Sequence, residues 1–343
     1  MSERSIAVVI NPVKRESGRA RTLMRAAARE AGFPAPVFIE TTQDDPGRAM
    51  TREALERGAS IVVAAGGDGT VRAVAQELVG AHDVTLGILP MGTGNLLARN
   101  LGIDVDDLTA CARVAVAGVP EPVDALRIRL VRPDRGVEET VSVVASGLGI
   151  DAEVMEETNE NLKKAVGPLA YAATTVGKLA PRHRHPIRVS VDHGAWDTFR
   201  VRTIVVVNAG YIQGGLQYAP GSRHDDGLQN AVIMSPRSAV GWVMVAARML
   251  RLNEQVPVVK YLEGRRLHVR SFYPVVAQVD GDPVGAVTEL DSEVLRHALR
   301  VHAPAEEDRL APGGQLAKVL PPRYSPRRLW AAAKRRADTA LGS

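Results

Sequence analysis

The feature that most constrains this chain is a short run apolar on both faces, Ser60 to Ala65, that empties into Gly66-Gly67-Asp68-Gly69-Thr70. A helical pattern follows from Thr70 to Val79, with Val71, Val74, Ala75 and Leu78 on one face. A strand that is apolar on both faces must be covered on both faces, which is the habit of parallel sheets wrapped by helices. The same alternation surrounds it. Strand signals at Ser5 to Ile10, Pro36 to Glu40 and Val84 to Leu89 are separated by helical spacing over Gly18 to Ala31 and Gly47 to Arg57. Residues 1–125 therefore read as a layered α/β domain with a parallel sheet.

From Val123 the texture changes to β-rich runs with few helices between them: Val123 to Val131, Val141 to Ser146, Ile187 to Val191, Val201 to Asn208, Asn230 to Met234, Val256 to Leu262, Arg266 to Val269, Val275 to Val279 and Leu299 to His302. Helical insertions are expected near Asp151 to Leu162, Leu169 to Leu179 and Ser238 to Leu252. Residues 126–303 read as an antiparallel β-sandwich. The remainder, 304–343, opens with a Pro/Gly-rich linker from Pro304 to Pro326 and ends in a basic tail.

Composition enters where it excludes function classes. One cysteine, Cys111, rules out an internal disulfide and a cysteine-based zinc site, which fits a reducing, cytoplasmic compartment. No stretch approaches the ~18 apolar residues of a membrane helix, and the N-terminus lacks a secretory pattern. The net charge is +4, yet Lys318 to Ser343 alone carries seven Lys/Arg against one acid, which leaves the body at about −2. The basic character belongs to the tail, so nucleic acid is not an expected partner.

Two glycine loops carry the chemistry. Gly66 to Thr70 joins a strand to a helix N-terminus, where backbone N–H groups can meet a phosphate with no side chain in the way. The Asp68 carboxylate would repel bare phosphate, so its place there implies that it holds Mg²⁺ or orients a neighbouring group. The second loop, Gly92-Thr93-Gly94-Asn95, follows the strand Val84 to Leu89. In an open parallel sheet both loops and Asn11-Pro12 would line one crevice at the carboxyl ends of the strands. Neither a Walker loop nor a dinucleotide fingerprint occurs in the chain.

Together with Asp225-Asp226-Gly227-Leu228 and Asp280-Gly281-Asp282, these motifs fall in an order that resembles the diacylglycerol kinase catalytic domain family, over roughly residues 5–303. The resemblance implies an NAD kinase-like α/β domain followed by a β-sandwich. It implies ATP in the cleft against Asn11, Thr41 or Thr42, the loop from Gly67 to Arg72, and Thr93. It implies Mg²⁺ beside Asp226 and the backbone carbonyls of Arg223 and Leu228, although Asp225-Asp226-Gly227 also reads as a plain turn. Asp124 either supports the metal through water or makes a junction hydrogen bond.

The resemblance also places a general base in the Asp-Gly-Asp segment. The family's glutamate is here Asp282, one methylene shorter and so about 1.5 Å short in reach, where a 1 Å error can cost ~10²-fold. Asp280 is the next candidate, and Asp-Gly is equally a hairpin turn. Asp68, Asp280 and Asp282 are thus the expected catalytic set. His183 and His185 read as a solvated basic loop.

The expected activity is transfer of the ATP γ-phosphate to a hydroxyl of diacylglycerol or a related lipid, in phospholipid metabolism. A sphingoid or other lipid alcohol kinase, an ATP-binding regulator with weakened turnover, and an NAD kinase are the alternatives. Projected as a helix, Arg327 to Leu341 gathers Leu329, Trp330, Ala333, Ala337, Ala340 and Leu341 on one arc with basic residues opposite. Such a tail would lie on the cytoplasmic membrane face. The expected partners are therefore the lipid substrate and that membrane surface, with a homodimer left open.

Overall fold

The computed structural model describes residues 5–149, 184–212, 216–249 and 256–310. The expected helices at Asp151 to Leu162 and Leu169 to Leu179, His183, most of the linker and the amphipathic tail lie outside the described residues. In the first half, β1 (Ile6–Ile10), β2 (Val37–Glu40), β3 (Ile61–Gly66) and β4 (Thr85–Pro90) pair in parallel in the order β2-β1-β3-β4. Every residue of β1, β3 and β4 is buried, so both faces of the sheet are covered. The helix α1 (Ser17–Glu30) packs with α5 (Leu108–Ala117), and α2 (Arg48–Glu56) packs with α3 (Asp68–Leu78). The sequence reading did not anticipate α5. Asp107 caps it, accepting from the N–H groups of Thr109 and Ala110 at 2.9 and 3.1 Å.

Two long strands tie the halves together. β5 (Val119–Val131) runs without a break across the expected division at 125/126, paired with β16 (Asp282–Ala303) along most of its length. The sequence reading starts this strand at Val123, whereas it begins four residues earlier and includes Pro120 and Pro122. Both prolines sit where β5 pairs only with β16, so the missing N–H breaks no ladder. Near its end β16 pairs in parallel with β4 through Val301 and Leu86, which extends the parallel sheet into the sandwich. A register break between Leu295 and Leu299, with His297 at φ 50°, lets one strand serve both parts.

The sandwich adds β6 (Val137–Ser142), β7 (Ala145–Leu148), β8 (His185–Val191), β9 (Asp197–Val201), β10 (Thr203–Val207), β13 (Gln229–Met234), β14 (Val259–Gly264) and β15 (Arg266–Val279), antiparallel throughout. A two-stranded ribbon, β11 (Tyr211–Ile212) and β12 (Leu216–Gln217), lies apart from the main sheet. Several boundaries differ from the sequence reading. The run Val141 to Ser146 divides into β6 and β7, Val201 to Asn208 divides at Arg202, and Arg266 to Val279 is one bulged strand. His185 opens β8 and is not part of a loop. Two cores result. One underlies the parallel sheet and reaches Val205, Val232 and Met249, and the other, with Leu126, Ile128, Leu267 and Leu290, fills the sandwich.

Candidate functional site

The carboxyl ends of the parallel strands bring the two glycine loops together. Gly67 and Gly92 are in near contact: a Cβ on Gly92 would stand 2.6 Å from the Gly67 Cα, so any side chain there would push the loops apart. Asn95 closes the second loop on itself, with Oδ1 accepting from the Gly92 N–H (3.1 Å) and Nδ2 donating to the Gly92 carbonyl (2.8 Å). It does so from a left-handed backbone, φ 50°, a conformation that asparagine tolerates better than most residues. It is followed by the short helix α4 (Leu96–Asn100).

Asp68, the first residue of α3, reaches across to this loop. Its carboxylate accepts from the N–H groups of Asn95 (2.8 Å) and Leu96 (2.6 Å), capping α4 from a neighbouring element. Burial pushes the Asp68 carboxyl above the ordinary carboxylate range, against the pull of these two donors. Both oxygens are thereby engaged, and the geometry makes Asp68 the fastener between the loops. An Asp68→Ala variant should lose turnover and also about 1 kcal/mol of stability, the usual scale of a lost cap. Hydrogen exchange should quicken at Asn95 and Leu96, which a protein-wide destabilisation would not single out. Of the two roles expected of it from sequence, holding Mg²⁺ or orienting a neighbouring group, these hydrogen bonds are those of the second.

At the first strand end, the Asn11 N–H donates to the Ala65 carbonyl (3.0 Å), and its Oδ1 accepts from Val13 N–H (3.2 Å) across Pro12. Thr41 is buried beside it, its N–H on the Ile10 carbonyl (2.9 Å). Thr42 instead accepts the Asp45 N–H on its hydroxyl oxygen (3.1 Å), in a turn where Asp45 receives the N–H groups of Gly47, Arg48 and Ala49. Thr70 is buried and folds back over Gly66, where a Cβ would stand 2.4 Å from its hydroxyl. Asn100 joins α4 to the ribbon by holding the Tyr211 carbonyl (2.8 Å) and N–H (3.1 Å) together. Sequence reasoning passed over this link.

The β15–β16 turn brings the acidic motif to the same place. Asp282 begins β16 with its side chain half exposed, and its Oδ2 lies 3.2 Å from where a Cβ on Gly69 would be. Arg72, one turn into α3, donates to that Oδ2 (2.7 Å) and to the Val279 carbonyl (3.0 Å). Asp280 has a different situation. It is 3% exposed, and its carboxylate accepts from the Ser142 hydroxyl (2.8 Å) and from the N–H groups of Val143, Val144 and Ala145 (2.9 Å each). Burial holds its carboxyl above the usual range. Enclosed in this way, Asp280 anchors the turn, and its candidacy as the base is corrected.

The second acidic motif is a turn built around carboxylates. Asp226 accepts from Leu228 N–H (2.9 Å) and Arg223 N–H (3.2 Å), while Asp225 is gripped by the Arg223 guanidinium (2.9 and 3.0 Å), whose hydrogen bonds hold that carboxyl below the ordinary range. Asp124, wholly buried, receives the N–H groups of Gly227 (2.7 Å) and His297 (2.6 Å), so it pins the turn to β16. That is the junction hydrogen bond, one of the two roles the sequence offers for it beside support of a metal through water. Among the described residues no three acidic, histidine or cysteine side chains converge on one point. A cation at Asp226 would therefore draw on backbone oxygens, and an all-oxygen donor set of one carboxylate and two carbonyls suits a hard ion such as Mg²⁺. Cys111 is buried, its thiol pushed up to about 12, and has no part in the cleft.

Known proteins resemble this chain over most of its length. Residues 5–128 match the family model described as the diacylglycerol kinase catalytic domain, and residues 142–303 match the YegS C-terminal NAD kinase beta sandwich-like domain. A Stenotrophomonas maltophilia (strain K279a) protein named "Probable lipid kinase YegS-like" is 30% identical over 273 residues, covering 77% of this chain and 85% of that one. The chain belongs to the diacylglycerol kinase catalytic domain family. A second member of that name, from Pseudomonas aeruginosa (strain UCBPP-PA14), is 31% identical over 288 residues, 82% of this chain and 88% of its own. Among solved structures, a diacylglycerol kinase from Bacillus anthracis str. Sterne superposes with a TM-score of 0.68 at 19% identity, over 88% of this chain and 98% of that one. An NAD kinase from Archaeoglobus fulgidus in complex with ATP gives 0.51 at 13% identity, over 92% and 100%. These likenesses establish the layered α/β fold with its β-sandwich.

Proposed function

We propose that this kinase-family protein is an ATP-dependent lipid kinase that phosphorylates a hydroxyl of diacylglycerol or a related lipid. The observation that carries the reading is the seat of Asp282, a half-open carboxylate placed over the Gly66 to Thr70 loop by a turn from the other half of the chain. A phosphoryl-transfer site needs phosphate-binding N–H groups, a cation and a carboxylate within reach of the acceptor hydroxyl, and little covalent chemistry. Here the glycine loops bind the phosphates, Asp68 keeps the loops in register, and Asp282 takes the hydroxyl proton. Asp226 with the Arg223 and Leu228 carbonyls would hold Mg²⁺, which supplies positive charge near the turn when bound. The names carried by the relatives support a lipid as acceptor.

The deciding experiment incubates the protein with radiolabelled ATP, Mg²⁺ and a total lipid extract, and identifies the labelled lipid by mass. A labelled product supports the reading and names the lipid. ATP binding with no labelled lipid would overturn it in favour of a regulator. Among the described residues no helix is long and apolar enough to cross a membrane. We propose membrane contact through the basic tail, on the strength of its seven Lys/Arg against one acid: deleting residues 320–343 should weaken binding to anionic vesicles and abolish its salt dependence, at about 1 kcal/mol per basic residue removed. Activity on a dispersed short-chain substrate should persist. Equal vesicle binding by truncated and full-length protein at low salt would rule the anchor out.

A further inference from the structure

One face of α3 carries Asp68 and Arg72, one helical turn apart. Asp68 fastens the wall of the cleft made by the Gly92 to Asn95 loop. Arg72 reaches the opposite wall. Its two amino groups hold the Val279 carbonyl at 3.0 Å and Asp282 Oδ2 at 2.7 Å, the residues on either side of the Asp280-Gly281 turn. The arginine side chain is 17% exposed and Asp282 is 50% exposed, so the cation is sheltered while the carboxylate keeps a side open to the cleft.

A planar fork with one branch on a backbone carbonyl fixes direction as well as distance, which a lone ammonium does not. The turn is then held twice. Asp280 ties it to the start of β7 from within, and Arg72 ties it to α3 from the cleft side. The charge balance also calls for a cation here, since Asp280 and Asp282 both act on Asp68 through their negative charge, in a cleft that must admit a polyphosphate.

We propose that Arg72 is the positioning residue for Asp282: it grips Oδ2 from α3, sets the short carboxylate over the phosphate loop, and leaves Oδ1 to receive the proton of the acceptor hydroxyl. The proposal rests on Asp282 being the base. In the step it serves, the acceptor O–H bond breaks and its proton passes to Oδ1. The acceptor oxygen forms a bond to the γ-phosphorus, and the bond from that phosphorus to the bridging oxygen breaks, releasing ADP. Aspartate lacks the methylene that would bring its carboxylate forward. A grip from α3, the helix that begins within the phosphate loop, ties base and phosphate to one rigid element.

The test uses the full chain with ATP, Mg²⁺ and a lipid substrate, and measures kcat, the KM for ATP and the affinity for a non-hydrolysable ATP analogue. Arg72→Ala should lower kcat ~10–10²-fold, the scale of a misplacement near 1 Å. ATP KM and analogue affinity should not change. Arg72→Lys should recover part of kcat, because an ammonium keeps the positive charge but lacks the planar fork that fixes direction, and its urea midpoint controls for folding. In an Asp282→Asn background, Arg72→Ala should add no further loss, since the two residues act as one unit. The positioning role is overturned if Arg72→Ala keeps wild-type kcat while Asp282→Asn is inactive. It is also overturned if the loss falls on ATP affinity with kcat intact, which would make Arg72 a phosphate clamp, or if the two losses simply multiply. A fully active Asp282→Asn would instead remove the base assignment itself.

Discussion

Asp282→Asn is expected to lower kcat by ~10²–10⁴-fold, the range a positioned general base contributes. The amide keeps the size of the side chain and offers Arg72 an oxygen in place of Oδ2, yet it cannot take a proton. Because the side chain is half exposed, the urea midpoint should stay near wild type, which separates loss of chemistry from loss of fold. Asp282→Glu should keep or raise turnover, since it restores the reach that the family's glutamate supplies. Wild-type kcat in the Asn variant, measured with saturating ATP and lipid, would place the base elsewhere.

The second large effect is on stability. Asp280→Ala should destabilise the protein by at least about 4 kcal/mol, because it strands three buried N–H groups and a hydroxyl, each costing about 1–3 kcal/mol when unpaired. The backbone adds to this. Asp280 sits at φ 48°, where alanine is disfavoured by about 1–2 kcal/mol and asparagine much less. Asp280→Asn should therefore lose less than half as much, because its carbonyl oxygen can still accept from part of the Ser142 to Ala145 segment. Urea denaturation of the three proteins checks the order. A stable but inactive Asp280→Asn would argue that this carboxylate does chemistry after all.

The two substitutions lie two residues apart in one turn, and nothing in the string Asp280-Gly281-Asp282 says which acid faces the cleft. That division shows where sequence reasoning stops. The glycine loops and Asn11 could be placed from sequence because parallel strands deliver their carboxyl ends to one edge, and the apolar runs of β1, β3 and β4 mark such strands directly. Glycine where backbones touch, as at Gly67 and Gly92, is likewise a local requirement written in local residues.

The extent of β16 was not written that way. Its 22 residues include Asp291, Ser292, Glu293 and Arg296, and they form a strand because β15 and β5 flank them, not because their own pattern alternates. The partners of the acids were hidden for a related reason. Asp68 meets residues 27 and 28 positions on, Asp280 meets residues 135 to 138 positions back, and Asp282 meets Arg72 across 210 positions. A carboxylate's role depends on which donors reach its oxygens and on how much water remains, and both are set by elements that meet only once the chain has folded. The sequence by itself determined the layered fold, the glycine loops at the strand ends and the family. The tertiary structure decided that Asp68 and Asp280 hold the frame, that Asp124 pins a turn, and that Asp282 stands open under the grip of Arg72.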